Sequence, residues 1–196
     1  MAGSWRSVWK STTDDDDEVV VLKRLHLHLD TDQEESLERH RVDALAMERL
    51  THSPYIVNVF GYCAQSVVTE YGTGSARLYL KSDNFSATHR LELARDLSQA
   101  VAHVHSIDGD TVPTLAHNDL NMANVVEMDG VLKLNDFNIG VLQRRNRTDG
   151  QVCKSPVRFG TILWKSPEEI RNASYVDSFA ADVYGLGNLL FQVLTK

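Results

Sequence analysis

The stretch from Leu115 to Asn138, LAHNDLNMANVVEMDGVLKLNDFN, decides the reading of this chain. It holds three polar residues at suggestive spacing, Asp119, Asn124 and Asp136. Val125 and Val126 follow the Asn, and Val131, Leu132 and Leu134 precede the second Asp. The pattern predicts a loop, a short strand, a turn at Asp129-Gly130, a second strand and then Asp-Phe-Asn. A tight hairpin brings the two polar ends together. One acid can then take a proton, while Asn124 and Asp136 present hard oxygen ligands to Mg²⁺. Such an arrangement suits phosphoryl transfer.

Outward from that centre, the chain has 196 residues, enough for one domain or two small lobes with a real core. Hydrophobic content of 42% and charged content of 24% are ordinary for a globular protein. A formal net charge of -7 argues against a general nucleic-acid binder. Cys63 and Cys153 show neither metal-type spacing nor a disulfide framework, which predicts reduced thiols in a cytoplasmic protein. No apolar run reaches the roughly 18 residues of a membrane span, and MAGSWRSVWK has no signal-peptide core. The sequons at Asn84, Asn146 and Asn172 are read as chance.

In chain order, Trp5 to Trp9 predicts a short strand, and Thr12 to Glu18 an acidic turn or solvated connection. Val19 to Leu25, VVVLKRL, is strongly β-branched and predicts a strand. Its Lys23, taken alone, is expected to face solvent. Asp32 to Leu50 predicts a helix ended by Ser53-Pro54. Tyr55 to Tyr62 and Ser66 to Tyr71 predict strands, and Gly72-Thr73-Gly74 a hinge between a sheet-rich lobe and a helical lobe. Leu91 to His105 carries one apolar stripe and predicts a helix, its terminal His103 and His105 suiting the helix dipole. Ile139 to Pro167 has low periodicity and predicts a functional or loose loop. Phe179 to Leu194 predicts an apolar helix.

The order of these features resembles the eukaryotic protein kinase family over nearly the whole chain. Val20-Val21-Leu22-Lys23 is similar to the family's V-A-I-K strand, so the resemblance implies that Lys23 holds ATP phosphates. Asp43 falls at the place of the helix acid that pairs with this lysine, one methylene shorter than the usual Glu. Val68-Thr69-Glu70-Tyr71-Gly72 resembles the adenine-reading hinge, with Thr69 as gatekeeper and with Glu70 and Gly72 against ATP. Val8, Val21 and Val126 fall where the family lines the nucleotide pocket. His117 to Asn124, HNDLNMAN, is similar to H-R-D-L-K-P-x-N, implying Asp119 as catalytic base and Asn124 as metal ligand. Asp136-Phe137-Asn138 resembles D-F-G, implying Asp136 as the second metal ligand. Gly160 to Glu168, GTILWKSPE, looks like the end of an activation segment, with Glu168 in a structural role. Asp182 opens a segment similar to D-x-W/Y-S-x-G and is implied to anchor the catalytic loop. Met47, Val59, His117 and Phe137 fall at spine positions, which are also core positions. Each motif is weak alone; six in the right order are specific.

The resemblance implies an α+β, bilobal protein kinase-like fold: a small antiparallel-sheet N-lobe plus one helix over residues 1–71, a hinge at 72–74, and a mainly helical, incomplete C-lobe over 75–196. It implies an ATP- and Mg²⁺-dependent kinase acting on Ser/Thr hydroxyls of a protein substrate, since the catalytic loop lacks an Ala-Ala-Arg run. The basic residues Arg144, Arg145, Arg147, Lys154 and Arg158 read more simply as a solvated loop than as a preference for acidic substrates. Departures favour one alternative, a pseudokinase scaffold; a lesser one is a small-molecule phosphotransferase, which shares the H-x-D-x-x-x-x-N loop. Arg6 stands at the third glycine of the phosphate loop and Met1 at the first. Asn118 replaces the arginine that pairs with a phosphorylated loop, and Asn121 the lysine that touches the γ-phosphate. Asn138 replaces the last glycine of D-F-G, a mild change because Asn tolerates left-handed backbone. The chain stops at Lys196, where the family continues with more helices. The expectation is an incomplete domain, poorly soluble alone, with Leu189, Leu190, Phe191, Val193 and Leu194 short of cover.

Overall fold

The computed structural model describes residues 6–13, 18–26, 33–82, 85–109, 112–157, 162–171 and 174–195, apart from the side chains of residues 33 and 82. Gly3 to Trp5 of the truncated glycine loop, the four-aspartate run, Gly160-Thr161, Arg158 and the sequon asparagines at 84 and 172 lie outside them.

Strands β1 (Arg6–Thr12) and β2 (Val19–Leu25) form an antiparallel hairpin, closed by Thr13 N–H to Glu18 O at 2.9 Å. Helix α1 (Gln33–Arg49) follows, then β3 (Val59–Cys63) and β4 (Ser66–Glu70). The four strands make one antiparallel sheet in the order β1-β2-β4-β3. Its registers decide which side chains meet. Arg6 lies opposite Leu25, Val8 opposite Lys23, and Lys23 opposite Val67. Directly opposed residues share a face, so Arg6, Val8, Val21, Lys23, Leu25, Val67 and Thr69 all project to one side. Leu25, Val67 and Thr69 are buried there. The predicted strand from Tyr55 splits: Ile56 instead bridges Leu134 in parallel, and pairing with β4 starts only at Val59.

After Gly72-Thr73, β5 (Gly74–Ser75) leads into α2 (Ala76–Ser82), a short helix that the periodicity did not announce. Helix α3 (Ala87–His105) is N-capped by Ser86, whose hydroxyl accepts from His89 N–H at 3.1 Å, four residues ahead of the predicted start. Its stripe of Leu93, Ala94, Leu97, Ala100, Val101 and Val104 is buried, as helical spacing requires. Then β6 (Leu115–Ala116) precedes the hairpin of β7 (Val125–Met128) and β8 (Val131–Leu134). Asp129 and Gly130 turn it with φ of 52° and 83°, the left-handed pair that a two-residue hairpin needs.

The long region of low periodicity carries two short strands, β9 (Val141–Leu142), paired with β6, and β10 (Ser155–Pro156). Helix α4 (Pro167–Ile170) is followed by β11 (Tyr175–Val176), which pairs with β10, and by α5 (Ser178–Thr195). Of the five α5 side chains expected to lack cover, Leu189 and Val193 are fully buried in the core that also holds the α3 stripe. Phe191 and Leu194 are exposed. No helix among the described residues is long and apolar enough to cross a membrane.

Candidate active site

The candidate site forms where the loop from His117 to Asn124, the turn after β8 and one face of the sheet converge. Asp182, 2% exposed near the start of α5, holds the loop in place. Its Oδ2 accepts the His117 N–H and its Oδ1 the Asn118 N–H, both at 2.7 Å. His105 Nε2 lies 3.0 Å from the same Oδ2. His105 therefore ties the end of α3 to this anchor, a part beyond the dipole role its position suggested. Gly185, one turn along α5, lets the loop approach: a Cβ there would sit 2.9 Å from Leu120 Cβ. Asn118 takes φ of 67°, a left-handed conformation that short amide side chains tolerate.

From this loop Asp119 is presented half-buried. Asn124 Nδ2 donates to Asp119 O at 2.9 Å and to its Oδ2 at 3.0 Å, which sets the carboxylate's orientation. Asn121 Nδ2 donates to Asp119 O at 3.1 Å, and its Oδ1 accepts Ala123 N–H at 2.8 Å. Asn121 thus serves the loop's own backbone rather than reaching outward. His117 Nδ1 accepts the Asp119 N–H and Nε2 faces Asn135 O at 3.0 Å, so the ring carries its proton on Nε2. That ring packs on Phe137, centroids 4.8 Å apart. Met47, Val59, His117 and Phe137 are all buried.

The cations depart from the expected pairing. Asp43 Oδ1 accepts the Phe137 N–H at 2.7 Å, and Oδ2 takes Arg6 Nη1 rather than Lys23. Lys23, expected to face solvent as a strand lysine, is 6% exposed and donates from Nζ to Asn135 Oδ1 at 2.8 Å. The second arm of Arg6, Nη2, reaches Asp136 Oδ1 at 2.6 Å. The reason lies in the register: Arg6 and Lys23 share a face, and the longer, forked guanidinium spans to both acids. Burial pulls the Arg6 pKa down, but Asp43 and Asp136 outweigh that and hold it above its usual value. Burial, aided by the Arg6 charge, lowers the Lys23 pKa despite Asp43 and Asp136. Burial raises the Asp43 pKa, yet Lys23, Arg6 and the Phe137 N–H bring it below the usual carboxylate value.

Of the residues implied to line a nucleotide pocket, Val21 and Val126 are half-buried and Val8 is exposed at 37%. Gly72 sits against Val126 and Glu127, where a Cβ would meet Val126 Cβ at 3.2 Å. The Glu70 side chain is committed to structure: it takes Lys133 Nζ at 2.8 and 3.0 Å and the Asn58 N–H at 2.6 Å. Glu168 is exposed at the second position of α4. The buried acid there is Glu169, which completes a capping box with Ser166 and pairs with Lys165 at 2.8 Å. The third helical position faces the cap and the second faces water.

Sequence reasoning missed Asn135 and His105, and treated Arg6 only as a lost glycine. Strand alternation offered a signal for Arg6, which stands two residues before Val8 and so on the same face.

The protein kinase domain model matches residues 2–196, and the chain belongs to that family. It is similar to the dual specificity protein kinase shkD of Dictyostelium discoideum, 30% identical over 81% of this chain and 20% of that protein. It is also similar to the RAF proto-oncogene serine/threonine-protein kinase of Xenopus laevis, 26% identical over 99% of this chain and 29% of that protein. The probable serine/threonine-protein kinase drkC of Dictyostelium discoideum is likewise 26% identical, over 99% of this chain and 24% of its own length. The chain thus spans less than a third of these relatives. The family uses ATP and a divalent metal. In this chain the donor types suit a hard cation: Asn124 has a side-chain oxygen and Asp136 a carboxylate. The arrangement does not, because the guanidinium of Arg6 already neutralises Asp136.

Proposed function

We propose that this chain is the phosphoryl-transferring part of an ATP-dependent protein kinase acting on Ser/Thr hydroxyls. The observation that carries the reading is Asp119, offered from a loop pinned at two backbone N–H groups by Asp182 and oriented by Asn124. A carboxylate held this way can accept the proton of a substrate hydroxyl as the hydroxyl oxygen attacks the γ-phosphorus and the bond to the β–γ bridging oxygen breaks, releasing ADP. Lys23 and Arg6 supply positive charge on the face that a triphosphate would meet. The resemblance assigns Mg²⁺ to Asn124 and Asp136; with Asp136 engaged by Arg6, the base step rests on Asp119 alone. The serine/threonine names of two relatives support the hydroxyl class. The same reading divides the chain at the 72–74 hinge and places it in the cytoplasm, in keeping with two exposed free thiols.

The test is transfer of labelled γ-phosphate to a generic protein substrate, with phosphoamino-acid analysis and an Asp119→Asn control. The expected result is label on Ser/Thr and a drop of about 10²–10⁴-fold in the variant. Label chiefly on tyrosine would overturn the substrate class. The engagement of Asn121 by its own loop and of Asp136 by Arg6 favours a second reading, a pseudokinase scaffold. Equal silence of wild type and control, with ATP still raising the melting temperature, would decide for it.

A further inference from the structure

Arg6 is 6% exposed, and its two arms join acids from separate parts of the fold. Nη1 pairs with Asp43 of α1, and Nη2 lies 2.6 Å from Asp136 Oδ1, beyond β8. Lys23 approaches the same centre and bonds Asn135. Arg6, Lys23, Asp43 and Asp136 together sum to zero charge. Adding a divalent ion at Asp136 would place two further positive charges beside a buried guanidinium, where screening is weak and repulsion strong. A triphosphate has the opposite effect, since it brings the negative charge that two cations on one face can accept. Arginine suits that task because its charge is permanent, so the cluster keeps this cation when phosphate arrives.

We propose that Arg6 takes the place of the divalent metal at Asp136, so that this chain binds a nucleoside triphosphate without metal and admits metal only when Arg6 is displaced. The proposal rests on the nucleotide-binding reading above and goes beyond it, by assigning to a β1 side chain the charge that an ion would otherwise bring. It also gives Arg6 a reason to stand where the resemblance expects a glycine.

The experiment has two arms on the purified chain. In the first, ATP is titrated by calorimetry in excess EDTA and again in excess Mg²⁺, for wild type, Arg6→Gly and Arg6→Met. Wild type is expected to bind ATP at least as tightly in EDTA as in Mg²⁺. The variants are expected to lose tenfold or more in EDTA and to regain affinity with Mg²⁺. In the second arm Mn²⁺ is titrated without nucleotide, its free form followed by electron paramagnetic resonance. Removing Arg6 should tighten Mn²⁺ binding tenfold or more. The proposal is overturned if wild type needs metal as much as the variants do, or if Mn²⁺ binds all three alike. If no form binds ATP under either condition, the nucleotide reading falls and the claim of metal-free triphosphate binding falls with it. Tighter Mn²⁺ binding in the variants would then still identify Arg6 as the occupant of the metal place. Arg6→Met keeps most of the apolar stem, so it serves if circular dichroism shows Arg6→Gly unfolded.

Discussion

At the scale of single residues, the loop that presents Asp119 depends on one carboxylate that makes no contact with the reaction. Asp182→Asn replaces one of the two acceptor oxygens with an NH₂ group facing a backbone N–H. A buried donor left without a partner costs about 1–3 kcal/mol. Denaturant unfolding should show that loss as a lower midpoint with an unchanged slope. His40 makes a second case. It is 2% exposed, and neither ring nitrogen has a hydrogen-bond partner. Burial, with Arg6 nearby, holds its pKa below the ordinary value, so the folded ring is neutral at pH 7. On acidification the unfolded chain takes up this proton first, near pH 6.5. The stability linked to His40 is complete above about pH 6.5 and is lost as the pH falls toward the lower folded value. His40→Leu should flatten the stability profile between pH 7 and 5 relative to wild type. Parallel profiles for the two proteins would refute the assignment.

At the scale of elements, two contacts set where helices begin and how closely they pack. Ser86 caps α3, the helix whose apolar stripe shares a core with α5. Ser86→Ala should cost about 0.5–2 kcal/mol, read as a lower thermal midpoint with the fold retained. Gly185 is where α5 packs against Leu120 of the loop from His117 to Asn124. Gly185→Ala drives a methyl to within 2.9 Å of Leu120 Cβ. Overpacking of this kind costs about 1–3 kcal/mol. Because Leu120 adjoins Asp119, any activity should fall further than the stability loss alone explains. An active, fully stable Gly185→Ala protein would show that the loop can move aside freely.

At the scale of the whole molecule, the sheet is fastened to the β7–β8 hairpin. Leu134 N–H donates to Tyr55 O at 2.8 Å, and Val57 N–H to Leu134 O at 2.9 Å. Glu70 of β4 takes Lys133 of β8 at 2.8 Å, with both side chains mostly shielded from solvent. A double-mutant cycle of Glu70→Ala and Lys133→Ala should return a coupling of roughly 0.5–1 kcal/mol, above that of a fully exposed pair. A coupling of zero would show that the backbone bonds of Leu134 hold this joint without help from the ion pair. The joint is made by irregular backbone, since Tyr55 and Val57 belong to the chain between α1 and β3 yet bond to Leu134.

By itself the sequence determined the elements whose residues state their own geometry. Val19 to Leu25 is β-branched and forms β2 over that span. Asp129-Gly130 dictates its turn, and the leucine and alanine stripe of α3 requires a helix. Motif order also announced the family, because Lys23, Asp119, Asn124, Asp136 and Asp182 are spaced along the chain as the family spaces them. Tertiary structure alone decided which charges meet. Whether Asp43 pairs with Lys23 or Arg6 depends on strand register and on the reach of two side chains from the same face. Neither is written in the spacing of the letters. The same holds for His105 on Asp182, 77 positions away, and for Glu169 rather than Glu168 at the buried cap. Local patterns are short-range and additive along the chain, whereas an ion pair is a choice among partners that only the packed fold brings within 3 Å.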